Sequence, residues 1–509
     1  MIDPTGPFRD LPSLVAQHAR ERPQDPALRC GDRRLDWQEL DHQADRVAAA
    51  LQRDGLQPQQ VVAVCAASSV EYLVLFVGTL RAGLAVAPLA PGSTPPQLAA
   101  MVADSGARRF FVDAAVAGAL AGTPLALPVT RLDDGGFERW LAPGPPRPVT
   151  IDSAWPFNLI YSSGTTGTPK GIVQPHSMRW AHVRRAAHAG YGPDSVTLIA
   201  TPLYSNTTLV AVVPTLAYGG CTVLMPKFDT LGYLRLAEDL RATHTMLVPV
   251  QYQRLMAHPE FDRFDLSSFR YKSCTSAPFA AALKADVVKR WPGALVEVYG
   301  MTEGGGTCML QAHLHPDKLH TVGRPVEGHD IRLIDEAGRE VARGEAGEVV
   351  GRSPGMMSGY HNQPQKTAEA EWFDDQGRRY IRTGDIGRFD DDGFLVLMDR
   401  RKDMVISGGF NLYPSDLEAV LRGHPAVAEC AVVGVPSEQW GETPVAWVVP
   451  APGAAVEPEA LRAWANERLG RTQRLSGLRF TAELPRSAIG KVLKRELREA
   501  WLRVAASSP

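Results

Sequence analysis

Short runs rich in β-branched residues alternate with amphipathic helical stretches over most of the chain, and this alternation limits the fold more than any other feature. An early example is a strand predicted at Val61–Cys65, followed by a helix at Glu71–Arg81 and a strand that ends near Pro88. Strands separated by helices pair in parallel and carry helices on both faces of the sheet. The pattern therefore predicts an α/β protein with helix-covered parallel sheets.

One helix start is visible in the sequence itself. Asp36 and Glu39 have the spacing of a capping box, in which each side chain bonds the backbone N–H of the other residue. Gly55 is placed to end the same helix. We therefore predict a helix that begins directly after Asp36.

The pattern of predicted secondary structure changes twice in the second half of the sequence. From about residue 320 the pattern favours strands joined by tight turns, such as the turn predicted at Asp391–Gly393. After Asp399 helices and strands alternate again over about 110 residues, enough for a small α+β domain. We predict a large domain at residues 1–399, β-rich from about 320, and a small domain at residues 400–509.

The balance of charge argues against one class of function. The 509 residues include 54 Lys and Arg against 56 Asp and Glu, a formal net charge of −2. Proteins that bind nucleic-acid phosphates carry a clear basic surplus. We therefore expect no nucleic-acid partner.

The sequence predicts neither a membrane span nor secretion. The charge-free stretch Ser195–Pro226 is broken by Pro202, Pro214 and Gly219–Gly220, whereas a spanning helix needs about 20 largely apolar residues. No signal peptide is expected. The scattered cysteines form no Cys-x-x-Cys pair, which favours reduced core residues in a cytoplasmic protein over a zinc site. They are Cys30, Cys65, Cys221, Cys274, Cys308 and Cys430.

The densest motif is Tyr161-Ser-Ser-Gly-Thr-Thr-Gly-Thr-Pro-Lys-Gly171, which precedes a helix predicted from His176. Glycines let the backbone turn closely around phosphates, while the hydroxyls and Lys170 supply donors and positive charge. The motif differs from a Walker loop because Pro169 precedes the lysine and no Ser or Thr follows it. We interpret it as a phosphate-binding loop rather than an ordinary polar surface loop.

A second motif, Tyr299-Gly-Met-Thr-Glu303, follows the predicted strand Leu295–Val298. It offers an aromatic ring to stack on a base, a hydroxyl for a phosphate and a carboxylate for a hard cation. Taken alone, it would be interpreted as a turn at the end of a strand.

Further motifs follow in the second half of the chain. Tyr380–Asp385 ends in a carboxylate suited to ribose hydroxyls, and Ser407–Pro414 has a flexible glycine pair beside a helix start. Asp399–Asp403 is a charge cluster, which would ordinarily be a solvated surface. Pro485–Lys491 is a loop that could deliver an ammonium group to an encounter of two anions, although a lysine in a basic tail is the simpler alternative.

Together and in this order, the motifs resemble the adenylate-forming superfamily of acyl-CoA synthetases, stand-alone adenylation domains and firefly-type luciferases. The resemblance covers roughly Leu11–Glu499. It implies the fold of that superfamily: a large N-terminal domain that binds the acyl group and ATP, and a small mobile C-terminal domain that carries a catalytic lysine.

The resemblance also assigns roles to individual residues. The implied catalytic residues are Lys491, Thr302, Glu303 and Lys170. The implied ATP or AMP contacts are Ser162, Ser163, Gly164, Thr165, Thr166, Gly167, Thr168, Lys170, Ser276, Ala277, Pro278, Tyr299, Gly300, Thr302, Asp385 and Arg400. The implied Mg²⁺ ligands are Glu303 and Thr165, the implied hinge is Lys402, and the implied CoA contacts are Ser407, Gly408 and Gly409.

The acyl pocket is the part that the resemblance defines least. Thr275 and Ser276 replace two glycines of the family's Gly-Gly-Ala-Pro loop, which narrows the neighbouring pocket, and Ser205 stands where a histidine is common. For each pocket residue, core or loop packing is an equal alternative. The pocket candidates are Tyr204, Ser205, Gln251, Tyr252, Thr275 and Met301.

These observations predict an ATP- and Mg²⁺-dependent acyl-CoA synthetase that activates a fatty or aromatic carboxylate and transfers it to CoA. The alternative is a stand-alone adenylation enzyme that loads a carrier-protein thiol or an amine. A non-catalytic nucleotide-binding relative is disfavoured because Lys170, Glu303, Asp385 and Lys491 are all present. Luciferase-like oxygenation is a further alternative, and the sequence leaves the oligomeric state open, with a homodimer as one option.

Overall fold

A computed structural model describes residues 6–162, 170–400, 403–407, 410–470, 473–487 and 491–506. Several predicted site residues lie outside these ranges. They are Ser163–Thr168 of the phosphate-binding loop, the predicted hinge Lys402, and Gly408 and Gly409 of the predicted CoA loop.

Two local predictions are confirmed at the start of the chain. A strand spans Val61–Cys65, as predicted. The helix Trp37–Arg53 begins with the predicted capping box, in which Glu39 N donates to Asp36 Oδ1 at 2.8 Å and Asp36 N donates to Glu39 Oε2 at 2.9 Å. The capping box depends only on residues that are neighbours in the sequence, so tertiary contacts do not override it.

The larger of two helix-flanked sheets has nine strands. Their order across the sheet is Arg324–Pro325, Thr307–Gln311, Ala294–Gly300, Tyr271–Cys274, His244–Leu247, Val196–Ile199, Cys221–Leu224, Pro26–Cys30 and Arg33–Asp36. The six strands from Ala294–Gly300 to Pro26–Cys30 pair in parallel, whereas both edges pair antiparallel. The prediction of parallel sheets therefore holds for the interior of this sheet and is wrong at its edges, where turns too short for a crossover helix reverse the chain.

The second helix-flanked sheet has seven strands and is also mixed. Their order is Gly359–Tyr360, Lys170–Pro175, Pro156–Ser162, Ala85–Pro88, Val61–Cys65, Arg109–Val112 and Val129–Arg131. Lys170–Pro175 pairs antiparallel with both of its neighbours. The two strands that flank the predicted phosphate-binding loop thus form one hairpin.

Two five-stranded sheets account for the remaining described strands. One contains Asp330–Ile334, Gly347–Arg352, Arg379–Phe389 and Glu371–Phe373 in that order, with Leu395–Arg400 paired to Arg379–Phe389. The other contains Phe410–Leu412, Val405–Ser407, Gly441–Pro450 and Val427–Ser437, with Gly477–Phe480 paired to Gly441–Pro450. The predicted turn at Asp391–Gly393 is present, since Gly393 N donates to Asp390 O at 3.0 Å.

The described α-helices connect these strands. They are Leu11–Glu21, Trp37–Arg53, Val70–Arg81, Pro95–Asp104, Ala114–Ala119, Gly136–Trp140, His176–Arg185, Asn206–Tyr218, Thr230–Asp239, Pro249–Met256, Ala281–Arg290, Pro364–Glu369, Pro414–Arg422, Pro458–Arg468 and Lys494–Ala506. In the described part of the chain, none of the helices combines the length and the apolar character that crossing a bilayer requires.

The chain forms two compact units, and each has its own hydrophobic core. The first comprises residues 1–331 and 351–381, and its main core includes the fully buried Trp37, Val64 and Leu216. The second comprises residues 332–350 and 382–509, where Val432 and Val433 point into cores on opposite faces of the sheet. The predicted domain division between residues 399 and 400 stays a prediction.

Candidate active site

The carboxyl ends of parallel strands bring several predicted residues to one edge of the nine-stranded sheet. Val196–Ile199, His244–Leu247, Tyr271–Cys274 and Ala294–Gly300 are parallel neighbours in this sheet. The segments that follow them carry Tyr204 and Ser205, Gln251 and Tyr252, Thr275 and Ser276, and Met301, Thr302 and Glu303. Ligands of α/β proteins bind at this edge of the sheet.

Tyr360 joins two of the predicted catalytic residues. Its hydroxyl donates to Glu303 Oε1 at 2.9 Å, and Lys170 Nζ lies 4.9 Å from the centre of its ring. The ring face attracts the ammonium group, while the hydroxyl orients the carboxylate. One phenol side chain therefore fixes both a cation and an anion at the start of strand Lys170–Pro175.

The sequence motifs gave no sign of Tyr360. It reaches this position because Gly359–Tyr360 pairs antiparallel with the strand that Lys170 begins, with Tyr360 opposite Ile172. Burial, and then the neighbouring Glu303 carboxylate, raise the pKa of the Tyr360 hydroxyl above its usual value. The phenol therefore stays protonated and acts as a donor at neutral pH.

The backbone around Glu303 is held by the segment that precedes Tyr360. Met357 N donates to Glu303 O at 2.8 Å, and Ser353 Oγ donates to Gly304 O at 2.8 Å. A side chain at Gly304 would collide with the Gly355 carbonyl, and Gly304 also has a φ of +76°. Glycine is therefore required at this position, directly after the carboxylate.

Ser276 has a backbone conformation that non-glycine residues seldom adopt. Its φ is +83°, in the left-handed region, and its Oγ lies 2.6 Å from Thr207 Oγ1. The sequence predicted a loss of backbone freedom at this position, and the structure shows that the serine keeps the glycine-like conformation. The hydroxyl contact ties the loop to the start of helix Asn206–Tyr218.

The other predicted nucleotide and acyl residues of this unit vary in accessibility. Ala277, Tyr299 and Tyr204 are half-buried, Pro278 is exposed, and Ser205 is buried as the cap of helix Asn206–Tyr218. Tyr299 and Gly300 end their strand opposite Cys308 and Thr307.

Gln251 and Tyr252 make internal contacts. Gln251 Nε2 donates to Ala200 O at 2.9 Å, and its Oε1 accepts from Val248 N at 3.1 Å. Tyr252 is fully buried, donates to Ser273 O at 3.1 Å and stacks on Phe279. These contacts agree with the alternative that the two residues serve to pack the interior. That either residue lines the acyl pocket stays a prediction.

In the second unit, strand pairing brings two predicted nucleotide residues together. Asp385 and Arg400 are directly opposite in the antiparallel pair Arg379–Phe389 and Leu395–Arg400. Asp385 N donates to Thr383 Oγ1 at 3.0 Å, and Thr383 Oγ1 donates to Val349 O at 2.8 Å. This bonding fixes the backbone that presents the Asp385 carboxylate.

Two hydrogen bonds join Ser487 and Lys491. Ser487 N donates to Lys491 O at 2.8 Å, and Lys491 N donates to Ser487 Oγ at 3.2 Å. Ser407, at the end of strand Val405–Ser407, is opposite Gly441 and Phe410 in its sheet.

The described residues around Glu303 fit a magnesium ion that is bound mainly by phosphates. Glu303 Oε1 accepts from Tyr360, and among the described residues the other carboxylate oxygen has no hydrogen-bond donor. The described chain has no cluster of three or more His, Cys, Asp or Glu residues suited to a metal. Mg²⁺ is commonly held by one or two carboxylates together with substrate phosphates and water, so a single carboxylate is sufficient.

Comparison with known proteins identifies the family. A family model described as AMP-binding enzyme matches residues 15–361, and one described as AMP-binding enzyme C-terminal domain matches residues 416–491. The chain belongs to the AMP-binding enzyme family. The adenylate-forming resemblance and the fold predicted from the motifs are thereby confirmed.

Similar members of the AMP-binding family match along nearly their whole length. Feruloyl-CoA synthase of Amycolatopsis sp is 35% identical over 501 residues, covering 96% of this chain and 99% of that protein. Fatty acid–[acyl-carrier-protein] ligase ScoC of Streptomyces coeruleorubidus is 32% identical and covers 97% of each. The crystal structure of ATP-bound MatB from Rhodopseudomonas palustris is 29% identical, with a TM-score of 0.88 over 97% of this chain and all of that chain.

Proposed function

We propose that this protein is an AMP-forming carboxylate–CoA ligase that activates a fatty or aromatic carboxylate with ATP and transfers the acyl group to CoA. The observation that carries the proposal is the arrangement of Lys170 and Glu303 around Tyr360 at the ligand-binding edge of the parallel strands. It provides a positive charge for phosphates and a carboxylate for a hard cation at one place.

The first half-reaction exchanges one bond at the α-phosphorus of ATP. A carboxylate oxygen bonds to this phosphorus while the bond to the bridging oxygen of the β-phosphate breaks, and pyrophosphate leaves with the electron pair. Lys170 and Lys491 spread the negative charge, and the Thr302 hydroxyl contacts the α-phosphate. Glu303 and Thr165 would hold Mg²⁺, which would neutralise negative charge on the phosphates.

The second half-reaction transfers the activated acyl group to sulfur. The CoA thiol loses its proton to solvent, its sulfur bonds to the acyl carbon, and the bond to the phosphate oxygen breaks so that AMP leaves. We assign the nucleotide ribose to Asp385 and Arg400 and the CoA chain to Ser407–Gly409. Because the two steps need different neighbours, residues 400–509 act as a mobile domain that turns at Lys402.

The acceptor of the acyl group is the point at which the alternative function differs. ScoC, a full-length relative, is named as a ligase for acyl-carrier protein, and this supports a carrier-protein thiol as the second candidate; an amine is a further candidate. In either case the adenylation half-reaction is the same. A cytoplasmic location, inferred from the cysteine pattern, belongs to the same proposal.

A pyrophosphate-release screen over a panel of fatty and aromatic carboxylates, with and without CoA, tests the proposal. We expect carboxylate-dependent exchange of labelled pyrophosphate into ATP, and AMP release that requires CoA. AMP release that requires a carrier protein or an amine would favour the alternative. No exchange with any carboxylate in the presence of magnesium would overturn both.

A further inference from the structure

One face of the strand Lys170–Pro175 meets the loop that carries Thr302 and Glu303. Lys170, Ile172 and Gln174 share this face because side chains alternate along a strand. Lys170 reaches Tyr360, and the fully buried Ile172 packs in an apolar cluster with Met301 at its border. Gln174 occupies the remaining position on this face.

The side-chain amide of Gln174 bonds two segments of the candidate site. Its Nε2 donates to Thr302 O at 2.6 Å and to Asn206 Oδ1 at 3.2 Å. Thr302 belongs to the predicted adenylation loop, and Asn206 begins the helix whose next residue contacts Ser276. A single NH₂ group therefore links the nucleotide loop to the helix start at the predicted acyl pocket.

The orientation of this amide is fixed by its other partners. Gln174 Oε1 accepts from Asn158 Nδ2 at 2.9 Å and from Arg179 Nη2. Arg179 also donates twice to Asn158 Oδ1, at 2.9 and 3.1 Å. Since a guanidinium group can only donate, the oxygen of Gln174 must face Arg179 and the NH₂ group must face Thr302.

This cluster is buried, and among the residues that the structure describes no carboxylate pairs with its charge. Gln174 and Asn158 are fully buried and Arg179 is 2% exposed. Burial lowers the pKa of Arg179 to about 9, with no carboxylate contributing. A guanidinium group without a counter-charge is costly to bury, and this one fixes the side-chain amides of Asn158 and Gln174, which points to a role beyond packing.

We infer that Gln174 is a positioning residue for adenylation: it fixes Thr302 and ties it to the helix start at Asn206, so that a carboxylate held at this helix is aligned with the residues that act on ATP. The inference rests on the proposed function and extends it to a residue outside the motifs. The alternative is that Gln174 only packs.

The decisive variant is Gln174→Glu. A carboxylate keeps the acceptor for Asn158 and Arg179 and gives Arg179 a counter-charge, but it loses the donors to Thr302 and Asn206. We expect kcat for pyrophosphate exchange per folded molecule to fall about 100-fold, the cost typical of a misplaced reacting group. The KM for ATP should change by less than about threefold, because the other nucleotide contacts remain.

Gln52→Glu is the matched control. Gln52 Nε2 donates to Arg147 O at 2.8 Å and its Oε1 accepts from Arg147 N at 2.7 Å, so the same exchange also removes one donor to a carbonyl, away from the candidate site. We expect wild-type kcat. If Gln174→Glu does not fold, Gln174→Met replaces it as the test variant, because methionine is apolar and of similar length. We expect it to lower kcat in the same way.

A double-mutant cycle tests the link to Asn206. Asn206→Ala should lower kcat in the wild-type background and have no further effect in Gln174→Glu, because the bond is already lost. Three outcomes would overturn the inference. Gln174→Glu could keep the wild-type kcat, or lose activity only in proportion to its unfolded fraction. The losses of kcat in the two single variants could also add up in the double variant. Wild-type protein without exchange would overturn the proposed function itself.

Discussion

The hydroxyl of Tyr360 donates to Glu303 at 2.9 Å although the two residues are 57 positions apart in the sequence. The same ring lies beneath the Lys170 ammonium group, so one side chain sets the spacing of a predicted phosphate-binding cation and a predicted magnesium ligand. The two functions of the ring can be separated by substitution.

Tyr360→Phe removes the hydroxyl and keeps the ring face under Lys170. We expect the magnesium concentration for half-maximal pyrophosphate release to rise and kcat to fall about tenfold, because Glu303 loses the charge-assisted hydrogen bond that orients it. Tyr233→Phe is the control, since it removes a buried hydroxyl that donates to Thr245 at 2.9 Å. An unchanged magnesium dependence in Tyr360→Phe would count against the role of the hydroxyl.

Lys491→Ala should separate the two half-reactions. We expect pyrophosphate exchange to fall about 100-fold or more, while transfer of a supplied acyl-adenylate to CoA continues, because the ammonium group stabilises charge only at the α-phosphate. The two rates are measured separately on the same preparation. Equal losses in both would contradict the assignment of Lys491.

Because the backbone at Ser276 is left-handed, we expect a glycine variant at this position to be more stable than an alanine variant. Ser276→Ala keeps the strained φ of +83° and loses the contact with Thr207, which should lower the free energy of unfolding by about 1–2 kcal/mol. Ser276→Gly loses the same contact but removes strain of about 1 kcal/mol, so its stability should stay within about 1 kcal/mol of wild type. Denaturant unfolding of both variants is the measurement, and a glycine variant less stable than the alanine variant would refute the strain.

The same position should control the range of accepted carboxylates. Ser276→Gly removes the side chain that ties the loop to Thr207, so we expect kcat/KM for wide acyl groups to rise about tenfold relative to narrow ones. Thr215→Val is the matched control, because it removes a buried hydroxyl contact, 2.8 Å to Thr197, deep in the same helix. An unchanged selectivity ratio would show that Ser276 does not narrow the neighbouring acyl pocket.

Buried histidines should make the fold sensitive to acid. Burial lowers the pKa of His176 to about 4, from about 6.5 in the unfolded chain. Between pH 4 and 6.5 the unfolded state binds more protons, so the free energy of unfolding falls as pH falls through this window, by up to about 1.4 kcal/mol per pH unit.

His176→Leu isolates this contribution, because the residue packs edge-on against Phe8 and Phe157. Unfolding at several pH values should give a smaller slope in the variant, by at most about 1.4 kcal/mol per pH unit. Burial raises the pKa of Glu297 to about 7, which has the opposite effect on the pH dependence of stability. This effect is the same in both proteins and cancels when the variant is compared with wild type. Identical slopes would show that His176 is not a source of the acid sensitivity.

The sequence predicted the features that depend on residues close together in the chain better than those that depend on contacts between distant residues. The strand Val61–Cys65 and the Asp36–Glu39 capping box follow from neighbouring residues, and the motif order identified the family. The contact between Gln174 and Thr302 joins residues 128 positions apart, and no motif contains both. The antiparallel sheet edges form at short turns that reverse the chain, and the periodicity within one segment does not show in which direction the next strand runs.

The glycines that follow Glu303 bear on how the substrate range of this enzyme could be redesigned. A methyl group at Gly304 would meet the Gly355 carbonyl, and Gly306 has a φ of +88°, so both positions strongly favour glycine. A randomised library should keep both codons constant and place its diversity at Thr275 and Tyr204 instead. Most clones would then remain folded, and screening effort would go to positions where variation can change which acid is accepted.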